Sequence, residues 1–186
     1  MTGVCAIVAF RNERRYLPTL LQHLMDEGVD VYLIDNGSTD GSLEVVERYI
    51  GAPVICVKHM PYSGAMDLAS ILDAKAAVIS ELKHDWIIHQ DFDEILQSKM
   101  ADESLSELSL RATRSGVGLI DFDEFVFLPQ EPAGYEGGDY RRGVQYYFFQ
   151  PWPFRFNRRF RRSFFAGFGR AAGHSVMTLR DTVAET

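Results

Sequence analysis

Short apolar runs alternate with helical repeats along the first half of the chain. The apolar runs predict buried strands over residues 4–10, 29–34, 53–57 and 86–88. Between them, apolar residues recur at helical spacing over residues 17–27, 43–49 and 64–82. Strands that alternate with helices in this way are typical of an α/β fold, in which a mostly parallel sheet is flanked by helices.

The second half of the chain is less regular. Residues 105–112 keep a helical pattern, and residues 117–128 are strand-like and rich in phenylalanine. Beyond Pro129 the glycine, proline and tyrosine content rises and the pattern gives no clear further element. The sequence contains no repeat array or low-complexity linker, and a length of 186 residues is typical of one domain. We therefore expect a single domain over residues 1–186.

Composition indicates a globular protein of a reducing compartment. The chain is 46% hydrophobic, which favours a packed core over disorder. Its two cysteines, Cys5 and Cys56, lie in apolar runs and are expected to be small buried hydrophobes rather than a disulfide. No apolar stretch approaches membrane-spanning length, and the first residues lack the pattern of a signal peptide. We expect a cytoplasmic protein, and peripheral association with the inner face of the membrane is compatible with this.

Charge is distributed unevenly along the chain. Residues 1–140 contain 10 Lys and Arg against 24 Asp and Glu, whereas residues 141–186 contain 9 Arg against two acidic residues. A basic segment on an acidic body could bind nucleic acid or anionic lipid head groups. It could equally lie over an acidic metal site and neutralise a bound diphosphate, or be solvated and pair with the acidic residues of the chain.

Three carboxylates follow the fourth predicted strand after His89 and Gln90, at Asp91, Asp93 and Glu94. Carboxylates this close repel one another unless a cation or a proton lies between them. Mg²⁺ and Mn²⁺ take oxygen ligands and are often held by one or two carboxylates together with substrate phosphates. The segment therefore predicts a metal–diphosphate site. The alternative is an acidic turn near a helix N-terminus.

Two more polar clusters follow the first and second predicted strands. Arg11 and Glu13 could meet a phosphate and start a helix, or pair with neighbouring charges. Asp35 begins a turn that contains Asn36 and Gly37. One of the next three residues, 38–40, is expected to cap the following helix. Asp35 could also accept hydrogen bonds from a base or a ribose. Carboxyl ends of parallel strands form one edge of the sheet, where α/β proteins bind ligands.

The three clusters together resemble a known family. They are Arg11-Asn12-Glu13, Asp35-Asn36-Gly37-Ser38-Thr39-Asp40 and Asp91-Phe92-Asp93-Glu94. Over residues 4–96 their order and spacing closely resemble family 2 glycosyltransferases of the GT-A fold, in the branch that opens with Arg/Lys-Asn-Glu and ends with Asp-x-Asp-Glu. Asn36 departs from the commonest signature, in which an aspartate is frequent. The resemblance continues more loosely through residues 122–129 and 146–151.

The resemblance implies a set of site residues. Those expected to bind the nucleotide-sugar are Ala9, Arg11, Glu13, Asp35, Asn36 and Asp91, and Asp35 would contact the base. Those expected to hold Mn²⁺ or Mg²⁺ are Asp91, Asp93 and the late histidine His174. This divides the domain into a nucleotide-sugar half at about residues 1–96 and an acceptor and metal-completing part at about residues 97–186, which is short compared with the family.

The implied activity is transfer of a sugar from a nucleotide-sugar donor to a glycan or lipid-linked acceptor, with inversion at the anomeric carbon. Among nucleotide-sugars, a UDP-sugar is the most expected donor. An inverting enzyme needs a base, and Asp123 and Glu124 are candidates within an acidic cluster that also contains Asp121. The family context is bacterial polysaccharide assembly. Two alternatives remain: a non-catalytic fragment that binds a nucleotide-sugar or glycan, and a nucleic-acid binder that uses the arginine-rich segment. Because the acidic body would repel a polyanion, we expect no nucleic acid partner.

Overall fold

The fold was obtained as a computed structural model, which describes residues 3–122, 125–129, 144–149 and 176–179. The strands are β1 (Val4–Phe10), β2 (Asp30–Asp35), β3 (Val54–His59), β4 (Trp86–Gln90), β5 (Leu119–Asp121), β6 (Phe125–Pro129), β7 (Val144–Phe149) and β8 (Val176–Leu179). The helices are α1 (Leu17–Asp26), α2 (Ser42–Val46), α3 (Leu68–Ile79) and α4 (Leu105–Arg114), and a 3₁₀ turn spans Glu47–Tyr49.

The main sheet contains six of these strands in the order β3-β2-β1-β4-β8-β5. The first four are parallel to one another, whereas β8 runs antiparallel to both β4 and β5. Strands β6 and β7 form a separate antiparallel pair. The expected α/β architecture with a mostly parallel sheet is therefore confirmed.

Strand β1 lies between β2 and β4 and supplies apolar side chains to both faces of the sheet. Ala6 and Val8 belong to a large core that also contains the leucines of α1. Cys5 and Ile7 point to the opposite face, where a smaller core contains Val78 of α3. A strand buried on both faces needs a continuous apolar run, which explains why β1 shows no alternation in its sequence.

Local sequence sets the helix boundaries. Helix α3 begins at Leu68 rather than near residue 64, because the Asp67 carboxylate accepts the backbone N–H of Ser70 at 3.1 Å and caps the helix. Helix α4 has a full capping box between Ser104 and Glu107. Both positions carry the residue types that this geometry requires.

The second half of the chain corrects the sequence-based prediction in two places. The single strand expected over residues 117–128 is two strands, β5 and β6, which belong to different sheets. Strand β8 was not predicted, yet it inserts between β4 and β5, with Met177 opposite both Ile88 and Ile120. Four residues are too few for a periodic pattern, so its pairing depends on the open edge of β4 rather than on local sequence.

Candidate functional site

The three polar clusters lie together at the carboxyl edge of the parallel strands. Phe10 at the end of β1 is opposite Asp35 at the end of β2. On the other side of β1, Val8 is opposite Gln90, the last residue of β4. The segments that follow β1, β2 and β4 therefore leave the sheet at the same edge, as the sequence predicted.

Reciprocal hydrogen bonds join the segment after β1 to the segment after β2. The backbone N–H of Asn12 donates to Ser38 Oγ at 3.0 Å, and the N–H of Thr39 donates to Asn12 Oδ1 at 2.7 Å. Asn12 has a φ of 58°, a left-handed conformation that asparagine tolerates better than most residues. The two motifs are thus one structural unit.

A second group of bonds extends this unit to α2. The N–H of Glu13 donates to Ser42 Oγ at 2.8 Å, and the N–H of Arg14 donates to Asp40 Oδ2 at 3.1 Å. Burial opposes ionisation of Asp40, but hydrogen bonds from Ser42 and from the N–H of Arg14 outweigh it and lower the pKa of Asp40. Asp40 is therefore a charged anchor between the two segments.

Asp35 is almost fully buried and is held by two donors. Its Oδ1 accepts the N–H of Ser38 at 3.0 Å, and its Oδ2 lies 3.2 Å from Nδ1 of His59 at the end of β3. The adjacent Asn36 uses its side-chain amide to donate to the carbonyl oxygens of Met60 and Pro61, at 3.4 and 3.3 Å. The Asn36 amide thus ties the end of β2 to the segment after β3.

Arg11 closes this side of the site. Its guanidinium donates to the carbonyl oxygens of Asn36, at 3.0 Å, and Gly37. It also stacks on the ring of Tyr62, 3.4 Å from the ring centroid. A Cβ at position 37 would come within 3.1 Å of Tyr62 Cβ, and Gly37 has a φ of 68°, so this close approach requires glycine.

The acidic turn after β4 presents two exposed carboxylates, Asp91 and Asp93. Although Asp93 is exposed overall, surrounding protein atoms partly desolvate its carboxyl group, and this desolvation together with the charge of Asp91 raises the pKa of Asp93. Burial, together with the charges of Asp93 and Asp40, raises the pKa of Glu13 to about 7. Desolvation is the main cause of both shifts, and the neighbouring carboxylate charges add to it. A bound cation would offset the repulsion among these carboxylates.

Three contacts hold the acidic turn in place. The Gln90 side-chain amide donates to the Glu94 carbonyl oxygen at 2.9 Å. The rings of Phe92 and Tyr16 pack with centroids 5.9 Å apart. Further on, His23 of α1 donates from Nε2 to the Leu96 carbonyl oxygen at 2.7 Å. The turn is therefore attached to α1, the helix that follows the Arg11 motif.

The donor set of the turn fits a hard divalent cation only in part. Among residues 3–122 and the described strands beyond, no three His, Cys, Asp or Glu side chains form a ready-made metal cluster. Asp91 and Asp93 supply two carboxylates, and Mg²⁺ or Mn²⁺ commonly completes such a set with phosphate oxygens and water.

His174 and the base candidates Asp123 and Glu124 lie outside the described residues. Ala9, half-buried, packs against the smaller core beside the edge.

Sequence reasoning missed Lys75, His59 and Tyr62. Lys75 is on the buried face of α3, 2% exposed, and donates from Nζ to the Gln90 carbonyl oxygen at 3.0 Å. Its Nζ also lies 3.6 Å from Asp91 Oδ1. The signal was a lysine in register with the apolar positions Ile71 and Val78. His59 and Tyr62 gave no comparable signal, because they follow the third strand without a motif.

Comparison with known proteins identifies the family. Residues 5–183 match the sequence profile of glycosyl transferase family 2. The chain belongs to this family. It is 26% identical over 106 residues to the cholesterol galactosyltransferase of Borreliella burgdorferi, a match that covers 53% of this chain and 27% of that protein. The chain thus matches about a quarter of the length of this relative.

Two solved glycosyltransferase structures were compared with the chain. The crystal structure of S. aureus TarS 1–349 superposes with a TM-score of 0.50 at 16% identity, covering 74% of this chain and 38% of TarS. The alignment with M. tuberculosis glucosyl-3-phosphoglycerate synthase covers 97% of this chain and 58% of the synthase chain, with a TM-score of 0.47 at 16% identity. The likeness to TarS confirms the GT-A fold. Within the described part of this family 2 chain, no helix is long and apolar enough to cross a bilayer.

Proposed function

We propose that this chain is a glycosyltransferase domain that binds a nucleotide-sugar at the carboxyl edge of its sheet. The sugar is transferred to a glycan or lipid-linked acceptor, with inversion at the anomeric carbon. Family membership over residues 5–183 supports the reaction class, and so does the named activity of the Borreliella burgdorferi relative. A UDP-sugar is the first donor to test, and association with a membrane surface would suit a lipid-linked acceptor.

The proposal rests on the hydrogen bonds that join the segment after β1 to the segment after β2, beside the acidic turn that follows β4. Asp35 lies on one side of β1, at the end of β2, buried and oriented by Ser38 and His59. The exposed carboxylates of Asp91 and Asp93 lie on the other side of β1, after β4. A nucleotide-sugar has the same polarity, with a hydrogen-bonding base at one end and a diphosphate, which needs cations, at the other.

The chemistry follows from the charge that develops on the leaving diphosphate. A divalent cation bound by Asp91 and Asp93 would stabilise that charge as a Lewis acid. The residues of this chain position the two ends of the donor, and pre-organised groups of this kind supply much of the rate enhancement in group transfer. An acceptor hydroxyl must lose a proton, for which Asp123 and Glu124 remain the candidates, and His174 remains the candidate third metal ligand.

Titration calorimetry of the purified chain with UDP, with and without Mn²⁺, tests the proposal. We expect UDP binding that requires Mn²⁺. When the chain is instead given a UDP-sugar and an acceptor, we expect it to release UDP. Failure to bind UDP or any other nucleoside diphosphate would contradict the proposal. Metal-dependent binding without turnover on any acceptor would favour the alternative of a non-catalytic nucleotide-sugar binder.

A further inference from the structure

Lys75 is a charged side chain in a position where packing alone would favour an apolar one. It lies on α3 with 2% of its surface exposed, on the same face as the buried Val78 and Ile79. Burying an ammonium group is expensive unless nearby groups compensate it. Burial lowers the pKa of Lys75, and the charge of Asp91 offsets part of this effect.

The two groups closest to the Lys75 ammonium lie where β4 ends and the acidic turn begins. The Gln90 carbonyl oxygen accepts a hydrogen bond from Nζ at 3.0 Å, and Asp91 Oδ1 lies 3.6 Å from the same nitrogen. The first is a hydrogen bond, whereas the second distance is that of an ion pair. The ammonium group therefore holds the last residue of the strand and the first residue of the acidic turn together.

The side chains of Lys75 and Asp91 differ strongly in their exposure to solvent. The Lys75 side chain is 3% exposed and the Asp91 side chain 57%. One oxygen of Asp91 thus faces a fixed buried charge while the carboxylate keeps access to solvent.

We propose that Lys75 is a positioning residue of the donor site, which holds the Asp91 carboxylate so that the acidic turn is preformed for a divalent cation. This inference rests on the proposed function. Lys75 acts through Asp91 and touches neither donor nor acceptor. Its charge also relieves the repulsion between Asp91 and the two carboxylates that follow it, at Asp93 and Glu94, before any cation binds.

Mn²⁺ binding, with the metal alone as the probe, tests this role. We expect Lys75→Met to weaken Mn²⁺ affinity about tenfold, the lower end of the effect of groups that orient metal ligands. Lys83→Met is the matched control, since Lys83 is exposed and precedes the opposite end of β4. It removes the same charge and is expected to leave Mn²⁺ affinity unchanged. Electron paramagnetic resonance of free Mn²⁺ measures both.

The Asp91→Asn background separates positioning from a general structural role. Asp91→Asn itself weakens Mn²⁺ binding, because it removes a carboxylate ligand. On the residual affinity of Asp91→Asn, Lys75→Met is expected to have no further effect, because its partner is already neutral. Unchanged affinity of Lys75→Met in the wild-type background would overturn the proposal, and so would an equal loss in both backgrounds. If Lys75→Met does not fold, Lys75→Gln replaces it with the same outcomes, since Gln keeps a donor for the Gln90 carbonyl but carries no charge.

The pairing itself is measured without any ligand. A double-mutant cycle of Lys75→Met and Asp91→Asn on the free energy of unfolding in urea is expected to be non-additive. Additive effects would overturn the pairing. If the wild-type chain binds neither Mn²⁺ nor UDP while the cycle is non-additive, the proposed function fails and the pairing of Lys75 with Asp91 stands.

Discussion

Carboxylates dominate the charge of the site, and each has a different neighbour. Asp35 is buried and paired with His59, and Asp91 is paired with Lys75. Asp93 is exposed overall, but partial desolvation of its carboxyl group and the charge of Asp91 raise its pKa. These environments suggest different roles for residues of the same chemistry. Asp35 is fixed for directional hydrogen bonding by Ser38 and His59, whereas Asp93 is exposed beside the charge of Asp91.

We expect Asp93→Asn to abolish Mn²⁺-dependent UDP binding, because it removes a carboxylate ligand while keeping the size of the side chain. The loss is expected to be at least about tenfold in Kd, or ~1.4 kcal/mol. Asp102→Asn is the matched control, since Asp102 is exposed and carries the same charge away from the turn. Calorimetry measures both, and UDP affinity equal to that of the wild type in Asp93→Asn would exclude Asp93 as a ligand.

Helix α4 is bonded through Arg111 to Glu103, which lies just before the helix begins. Arg111 donates to the two carboxylate oxygens of Glu103, from Nε at 2.6 Å and from Nη2 at 2.8 Å. Ser98 Oγ also donates to Glu103, at 2.5 Å. The hydrogen bonds from Arg111 and then Ser98 lower the pKa of Glu103 to about 2, from an ordinary value of 4.5. This connects the segment after the acidic turn to the last turn of α4.

The lowered pKa of Glu103 predicts a pH dependence of stability. Folding favours the charged form, so the stabilisation is complete above about pH 4.5 and is lost as the pH falls toward about 2. Wild type is therefore expected to exceed Glu103→Gln in free energy of unfolding at pH 7. The difference should shrink steadily below pH 4.5 in urea titrations. A difference that stays constant down to pH 3 would contradict this assignment.

The whole sheet is completed by a strand from far along the chain. Strand β8 pairs with β4 on one side and β5 on the other, so Val176, Met177 and Thr178 each lie between two neighbouring strands. It also covers the edge of β4, the strand that carries the acidic turn. Without β8, that edge would present unpaired backbone groups, which invite aggregation.

Met177→Pro is expected to destabilise the fold, because proline cannot donate to either neighbouring strand. The loss of one buried ladder bond costs about 1–3 kcal/mol, and steric effects add to it. Met177→Val keeps the N–H and is the control. Thermal unfolding of the two variants measures the difference. If both variants unfold at the same temperature, β8 does not stabilise the sheet.

The first half of the fold and the location of the site could be predicted because their signals are local. The run over β1 is apolar at every position. Asp35 directly follows an apolar run, and Asp91 follows one after two polar residues. Such patterns depend on burial and on turn chemistry within a few residues. The roles of Asp123, Glu124 and His174 stay predictions, since they lie outside the described residues.

Contacts between distant residues could not be read from the sequence. Lys75 and Gln90 are 15 positions apart, and Asp35 and His59 are 24 apart. The strands, the helices and the clustering of polar motifs at one edge follow from the order of residues along the chain, because each depends on local periodicity. The partner of Lys75, the orientation of Asp35 and the insertion of β8 depend on how α3, β3 and the end of the chain pack against the sheet, and packing brings together residues that no local pattern links.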